Sequence, residues 1–399
     1  MKDIMQALKA HISPDRIVKT TCDMIRIKSF DGVPRQETGV AEYIKSVFDK
    51  NGVPCVLKPV ADGRCNVIAT LDSGLPGKTL LFNTHIDTVG PGDMEDPFEP
   101  RIKDGKLYGR GADDPKGAMA CAIEALLAIK ETGALKKGKI ILTGVVDEEK
   151  CSLGTVDLIE SGIKADGAII AEATDMKIST CHKGLEWLRF RFIGKAVHSG
   201  AQSEGINAID KAAAFVTAVN NKLAPALKEK SHPMLGEGTV NCAVIRGGIE
   251  PSNVPGECVL ELDRRFLPSE SYESMLGGFQ SIMSGLSAKD QSFKCEMTVS
   301  EDAAMKKPYL HLPMETDLSH PLVTAMKSAV SETGRVPCLC GYPAWTDAGL
   351  LSSYAHIPCV IFAPGRIEQC HASDEHIPVN DLPDAALIYA LAATEFCNF

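Results

Sequence analysis

Two textures, and the order in which they occur, predict an α/β fold with a smaller α+β domain inserted into it. In the first 180 residues and again after about residue 305, short apolar runs alternate with helical stretches. Strands separated by helices build a mostly parallel sheet with helices on both faces. Between these regions, segments alternate residue by residue between apolar and polar, as half-exposed antiparallel strands do.

The apolar runs at 79–83, 139–146 and 167–171 read as buried strands, and 117–132 and 152–162 carry helical periodicity with small or apolar faces. Past residue 305 the pattern predicts a helix at 321–333, a strand at 356–363 and a final helix at 381–396. The middle gives a strand at 185–193, a helix at 206–223, strands at 239–246 and 257–266, a helix at 271–286 and a strand at 292–299. That β-α-β-β-α-β order is ferredoxin-like. The expected division is an α/β domain from residues 1–182 and 302–399, with 183–301 inserted.

Composition excludes several classes of function. Of the 399 residues, 44% are hydrophobic and 24% charged, ordinary values for a globular chain. No run of about 18 apolar residues is present to span a membrane. The N-terminal segment lacks the continuous apolar core of a signal peptide, so a cytoplasmic location is expected. A net charge of −10 without a Lys/Arg run argues against nucleic acid or anionic membrane as partner. The 14 cysteines are scattered and form no CxxC pair, which fits reduced thiols; Cys338 and Cys340 would share one face of a strand.

Five stretches carry candidate chemistry. Leu81-Phe82-Asn83-Thr84-His85-Ile86-Asp87 ends a strand in a His-x-Asp pair, and a metal-bound imidazole usually gives its second N–H to a carboxylate. Tyr108-Gly109-Arg110-Gly111-Ala112-Asp113-Asp114-Pro115-Lys116-Gly117 sets two aspartates before a helix. It is neither GxGxxG nor GxxxxGK[ST], so phosphate binding is set aside. Asp113 reads first as a helix N-cap, whereas Asp114 precedes a proline, where a cis bond is cheap and would turn the carboxylate into a site. Val146-Asp147-Glu148-Glu149 ends a strand in three acids, a crowding that a cation relieves. Ala171-Glu172 ends another strand in an acid, and Cys370-His371-Ala372-Ser373-Asp374-Glu375 follows a turn. Strand ends on one edge of an α/β sheet converge on one crevice. Two histidines with three carboxylates, one bridging, are what two divalent ions roughly 3.5–4 Å apart require.

With these motifs the chain resembles the M20-type metallopeptidases and deacylases over essentially its whole length. The motifs are H-x-D, G-R-G-x-x-D-x-K-G, D-E-E and the late H-x-x-[DN]-E. The resemblance implies that Asp114 bridges two ions, with His85 and Glu172 completing one ligand set and Glu149 and His371 the other; Asp113 is the alternative bridge. The ions would be zinc, with cobalt or manganese able to substitute. Glu148 would be the general base and Asp87 would orient His85. The inserted domain would serve as lid and homodimer contact, and His198, in Lys195-Ala196-Val197-His198-Ser199-Gly200, would polarise the substrate carbonyl. Asn253 and Arg265 match positions expected to hold a substrate carboxylate, Thr346 matches a substrate-binding [ST]-D segment near the site, and Arg264 reads as a solvated strand residue. The implied activity is cleavage of the amide bond of a small N-acyl-amino acid by metal-bound hydroxide. A dipeptidase or carboxypeptidase using the same machinery is the alternative.

Overall fold

The structure, a computed structural model, describes residues 2–301 and 305–398. The chain forms two compact units. One comprises Met1–Cys181, Met314–Tyr342 and Thr346–Phe399, and the other His182–Pro313 with Pro343–Trp345.

Among the described residues, nine strands form the sheet of the first unit. Its centre is parallel: Lys139–Val145, Thr79–His85, Gly167–Ile170 and Cys359–Ile361 lie side by side in that order. Antiparallel strands flank this centre. Cys55–Ala61 and Arg64–Asp72 lie beyond Lys139–Val145, and Ile178–His182 lies beyond Cys359–Ile361. Every residue from Leu80 to His85 is buried. Successive strand side chains point to opposite faces, so both faces of the sheet are covered there, and the run is apolar without alternation. Two helices, Gly117–Thr132 and Asp381–Asn398, pack on each other and on this central strand. Side chains from Gly117 to Ile129 are all buried, which explains a helix apolar on every side. Parallel strands bring their C-terminal ends to one edge, and the loops that follow them carry the candidate ligands.

The second unit is built on an antiparallel sheet in the order Thr239–Gly247, Glu257–Phe266, Gly184–Ile193, Cys295–Val299. The helices Ala208–Ala218 and Tyr272–Lys289 complete the ferredoxin-like pattern. Leu188, Phe190 and Phe192 point into a core with Phe215, Leu260, Leu262 and Phe279. Trp187, Arg189 and Arg191 alternate with them on the open face. There Arg191 Nε meets Glu257 at 2.7 Å and Trp187 Nε1 donates to Asp263 at 2.8 Å.

Several elements differ from the sequence reading. The helix expected at 206–223 divides into Ala208–Ala218, a wider turn Val219–Leu223 and a short helix Ala224–Lys228. The strand expected at 356–363 shortens to Cys359–Ile361. Helices Pro14–Arg26 and Thr38–Lys50 and the hairpin Cys55–Ala61/Arg64–Asp72 were not anticipated. Arg264 is not solvated. It is 1% exposed, with Nη2 at 2.5 Å from Glu270. The reason is strand parity: the alternation that buries Cys258, Leu260 and Leu262 also turns residue 264 inward. No disulfide joins any of the cysteines among the described residues. Among the described residues no helix is long and apolar enough to cross a membrane.

Phe190 lies 4.6 Å from Phe215 and 5.5 Å from Phe279 between ring centroids. Phe190→Ala is expected to cost about 3–5 kcal/mol by leaving a cavity. Both tryptophans, Trp187 and Trp345, belong to this unit, so a urea melt followed by their fluorescence should show an earlier transition for the variant.

Candidate metal centre

His85 closes its strand with its backbone paired to Val145, which fixes the imidazole at the edge of the sheet. Its Nε2 lies 3.0 Å from Asp114 Oδ1 and 3.5 Å from Glu172 Oε1. His371 Nε2 lies 3.1 Å from Glu149 Oε2 and 3.4 Å from Asp114 Oδ2. The two oxygens of one carboxylate therefore face two different imidazoles. Ligand atoms of His85, Asp114 and Glu149 all fall within 4.8 Å of one another. The Asp114–Pro115 peptide is cis.

Asp87 is buried beside His85, with Oδ1 3.3 Å and its own carbonyl oxygen 3.2 Å from Nδ1. Its carboxylate also accepts the N–H groups of Glu148 at 3.2 Å and Glu149 at 3.1 Å. One aspartate thus aligns the histidine and the turn bearing both glutamates. Glu149 Oε1 accepts Val89 N–H at 3.2 Å.

The electrostatics are those of a crowd of acids relieved by protons. Burial works to raise the Asp114 carboxyl, but hydrogen bonds from His371 and His85 outweigh it and hold it well below the usual range. Burial would lower the His85 imidazole, yet Glu172, Asp114 and Asp87 carry it well above its ordinary value. Hydrogen bonds to Asp114 and Glu149 push His371 up to about 10. Burial pushes Glu172 up to about 8, and pushes Glu148 well above a normal glutamate. The surrounding carboxylates thus favour protons on both imidazoles. Divalent ions would displace those protons and do the same balancing with stronger charges. The mixed imidazole and carboxylate donors fit two such ions.

Asp113 is not an N-cap. The helix begins at Gly117, with Lys116 as its capping position. The buried Asp113 side chain instead accepts from Arg366 N–H at 3.2 Å and from the Cys370 thiol at 3.6 Å. Gly365, at φ 88°, lies against it where a Cβ would collide with the carboxylate. Thr346 is buried, and its hydroxyl oxygen accepts Ala348 N–H at 3.2 Å. The adjoining Asp347 accepts from Thr155 Oγ1 at 2.6 Å, and burial pushes it up to about 6.

Three candidates belong to the second unit. His198 is exposed, its Nδ1 accepts Gly200 N–H at 3.0 Å, and its backbone is bridged to Asn253. Asn253 Nδ2 donates to Glu250 at 3.2 Å, and Arg265 Nε meets Asp263 at 2.9 Å.

Two supporting groups went unread in the sequence. Glu375 accepts the N–H groups of Gly111, Asp113 and Asp114 and an ion pair from Arg110 at 2.7 Å. The Arg64 guanidinium bridges buried Glu37 and Asp147, meeting Glu37 at 2.5 Å and Asp147 at 2.8 Å. Glu375 stood inside a quoted motif, but Glu37 and Arg64 are isolated charges that no local pattern marks.

The model of peptidase family M20/M25/M40 matches residues 81–395. The chain belongs to that family. This M20 chain is therefore a metallohydrolase. It is 30% identical to a probable succinyl-diaminopimelate desuccinylase of Staphylococcus aureus, over 86% of this chain and 88% of that protein. The crystal structure of aminopeptidase PepT from Bacillus cereus shares the fold with a TM-score of 0.80 at 22% identity, covering 97% of this chain and 99% of that one. A dinuclear metal binding peptidase of the M20 family from Bacillus subtilis matches with a TM-score of 0.73 at 15% identity, covering 96% of this chain and 97% of that one.

The Arg64 bridge offers a test of the scaffold. Removing one partner of a buried ion pair costs about 3–5 kcal/mol, and Arg64→Met leaves two buried acids unbalanced. Burial already raises Glu37 and Asp147 with Arg64 present. Without it both folded-state values rise further above the unfolded ones, so folding takes up protons and the deficit grows with pH. Thermal melts followed by circular dichroism should show a larger loss at pH 7 than at pH 4.5.

Proposed function

We propose that this chain hydrolyses the amide bond of a small N-acyl-amino acid, of the deacetylase or desuccinylase type, with Glu148 as general base. The observation carrying the reading is the Asp114 carboxylate turned toward His85 through one oxygen and toward His371 through the other. In this reading His85, Asp114 and Glu172 hold one divalent ion, and Asp114, Glu149 and His371 hold the second. Zinc suits the donors best, with cobalt or manganese as substitutes. Such an ion pair, when bound, supplies an acidified water near neutral pH and polarises the scissile carbonyl.

The remaining work falls to side chains. Asp87 holds the His85 ring with Nε2 facing Asp114 and Glu172. Glu148, on the turn pinned by Asp87, takes a proton from the attacking water and delivers it to the leaving amine. His198 donates to the carbonyl oxygen as charge develops there. Asn253 and Arg265 hold the substrate carboxylate, the arginine by its two-pronged fork, and Thr346 lines the substrate site. The S. aureus desuccinylase relative supports the N-acyl substrate class. The family's peptidase description favours a second reading, a dipeptidase or carboxypeptidase with the same machinery.

Glu148→Gln should keep full metal content while turnover falls by about 10²–10⁴-fold. Metal analysis beside an amine-release assay checks this, and an unchanged rate removes Glu148 from the role. A panel of acetyl-, succinyl- and dipeptide substrates separates the two readings: the deacylase reading expects amine release from the acyl compounds, and turnover confined to dipeptides would replace it.

The homodimer proposal rests on Thr239–Gly247, which is the edge strand of its sheet among the described residues. Ile245 on that strand is 52% exposed, a pattern that invites pairing with a second copy. Sedimentation is expected to give a dimer; Ile245→Lys should shift it toward monomer.

A further inference from the structure

The two histidines of the centre are held by different means. His85 ends a strand paired on both sides. His371 sits in a loop, its side chain 53% exposed and its backbone in the left-handed region at φ 65°. Nearby backbone bonds in that loop are short-range ones, Cys370 N–H to Ile367 and Ala372 N–H to Gln369. Besides the pairing of His376–Pro378 with Lys106–Tyr108 and the Arg366–Asp175 ion pair at 3.2 Å, a reciprocal clasp ties the loop to the rest of the centre. Glu375, four residues beyond His371, is fully buried. Its Oε1 accepts Asp113 N–H at 2.9 Å and Asp114 N–H at 3.1 Å. Its Oε2 accepts Gly111 N–H at 3.0 Å and the Arg110 guanidinium at 2.7 Å. Its carbonyl oxygen accepts Gly109 N–H at 3.3 Å. In return, the Asp113 carboxylate takes Arg366 N–H and the Cys370 thiol. Each loop thus ends in a carboxylate gripping the other's backbone, on either side of the Asp114–His371 contact.

We infer that Glu375 is a positioning residue that fixes His371 opposite Asp114 and so sets the affinity of the ion held by Asp114, Glu149 and His371. The inference rests on the two-metal reading above. A carboxylate is required because all of its partners are donors, and hydrogen bonds to an ionised acceptor are the stronger kind. A glutamine at 375 offers one oxygen and turns an NH₂ group toward donors. The ion held by His85, Asp114 and Glu172 keeps two ligands placed by the sheet, so it is affected least.

The test is a calorimetric titration of the metal-stripped full chain with Zn²⁺, repeated with Co²⁺ for its visible spectrum. The wild-type chain should show two binding events. In Glu375→Gln one event should weaken by about 10–100-fold, the usual scale for losing a group that orients a ligand, and the other should hold. Turnover at limiting metal should fall with KM unchanged and recover when zinc is added in excess, which a general loss of folding does not do. If Glu375→Gln does not fold by circular dichroism, Asp113→Ala cuts the other half of the clasp and should give the same selective loss. Two events at wild-type affinity, or equal weakening of both, in a folded variant overturn the inference. A wild-type chain that takes up fewer than two ions overturns the metal reading itself, and the inference with it.

Discussion

A crowd of buried carboxylates, on the ends of a few parallel strands and on the turns beside them, is the constraint that the rest of the molecule answers. Asp87, Asp113, Asp114, Glu172, Asp347 and Glu375 are all nearly inaccessible. Glu148 and Glu149 are half-buried beside them. Removing so many acids from water without counter-charge is costly. Several devices meet them. Backbone N–H groups hold Asp87 and Glu375, Arg110 adds its charge to Glu375, and the imidazoles of His85 and His371 share Asp114. Glu148 and Glu172 gain less, and burial drives both upward. That residual imbalance is what the proposed pair of divalent ions would remove.

The supporting network determines which parts of the site are rigid. Arg64 locks Asp147 to Glu37, Asp147 opens the turn that carries Glu148 and Glu149, and Asp87 closes the same turn from the other side. Glu37 also accepts Asp147 N–H at 3.2 Å, so side chain and backbone of that aspartate are both fixed. A carboxylate intended to move a proton needs a defined position within hydrogen-bond reach of its partner. The sheet supplies the position of His85, and this network supplies the turn that presents Glu148.

Much of this was legible in the chain because period and punctuation agree there. The continuous apolar run ending in His85-Ile86-Asp87 could only be a buried strand with its polar pair at the tip, and the ferredoxin-like order emerged from clean alternation. The first 75 residues were less readable, since amphipathic helices such as Pro14–Arg26 and the exposed hairpin Cys55–Ala61/Arg64–Asp72 lack strong apolar runs. Asp113 misled because two acids before a helix resemble a cap, whereas its partners Arg366 and Cys370 lie some 250 residues away. Glu375 bonds to Gly111, Asp113 and Asp114 across a similar separation. Local patterns record which residue types are present; a contact between distant loops leaves no trace in either one. Arg264 is the opposite case, since its parity with Leu260 and Leu262 is legible in the chain and points it inward.

Every proposed metal ligand belongs to the first unit, while His198, Asn253 and Arg265 belong to the second. The two groups are also anchored differently. The ligands sit among buried hydrogen bonds that organise the sheet edge, so altering one disturbs its neighbours and the charge balance together. His198 and Asn253 lie on the exposed surface of their unit, held by a short backbone bridge and bonds to Gly200 and Glu250. Such bonds, open to water, contribute about 1 kcal/mol or less each, so these side chains can change orientation at little cost. If these residues hold the ions as proposed, metal affinity is a property of the first unit's packing. On the reading proposed above, the substrate carboxylate would be met in part by residues of the second unit such as Asn253, which lies on its surface and can vary without disturbing the ligands.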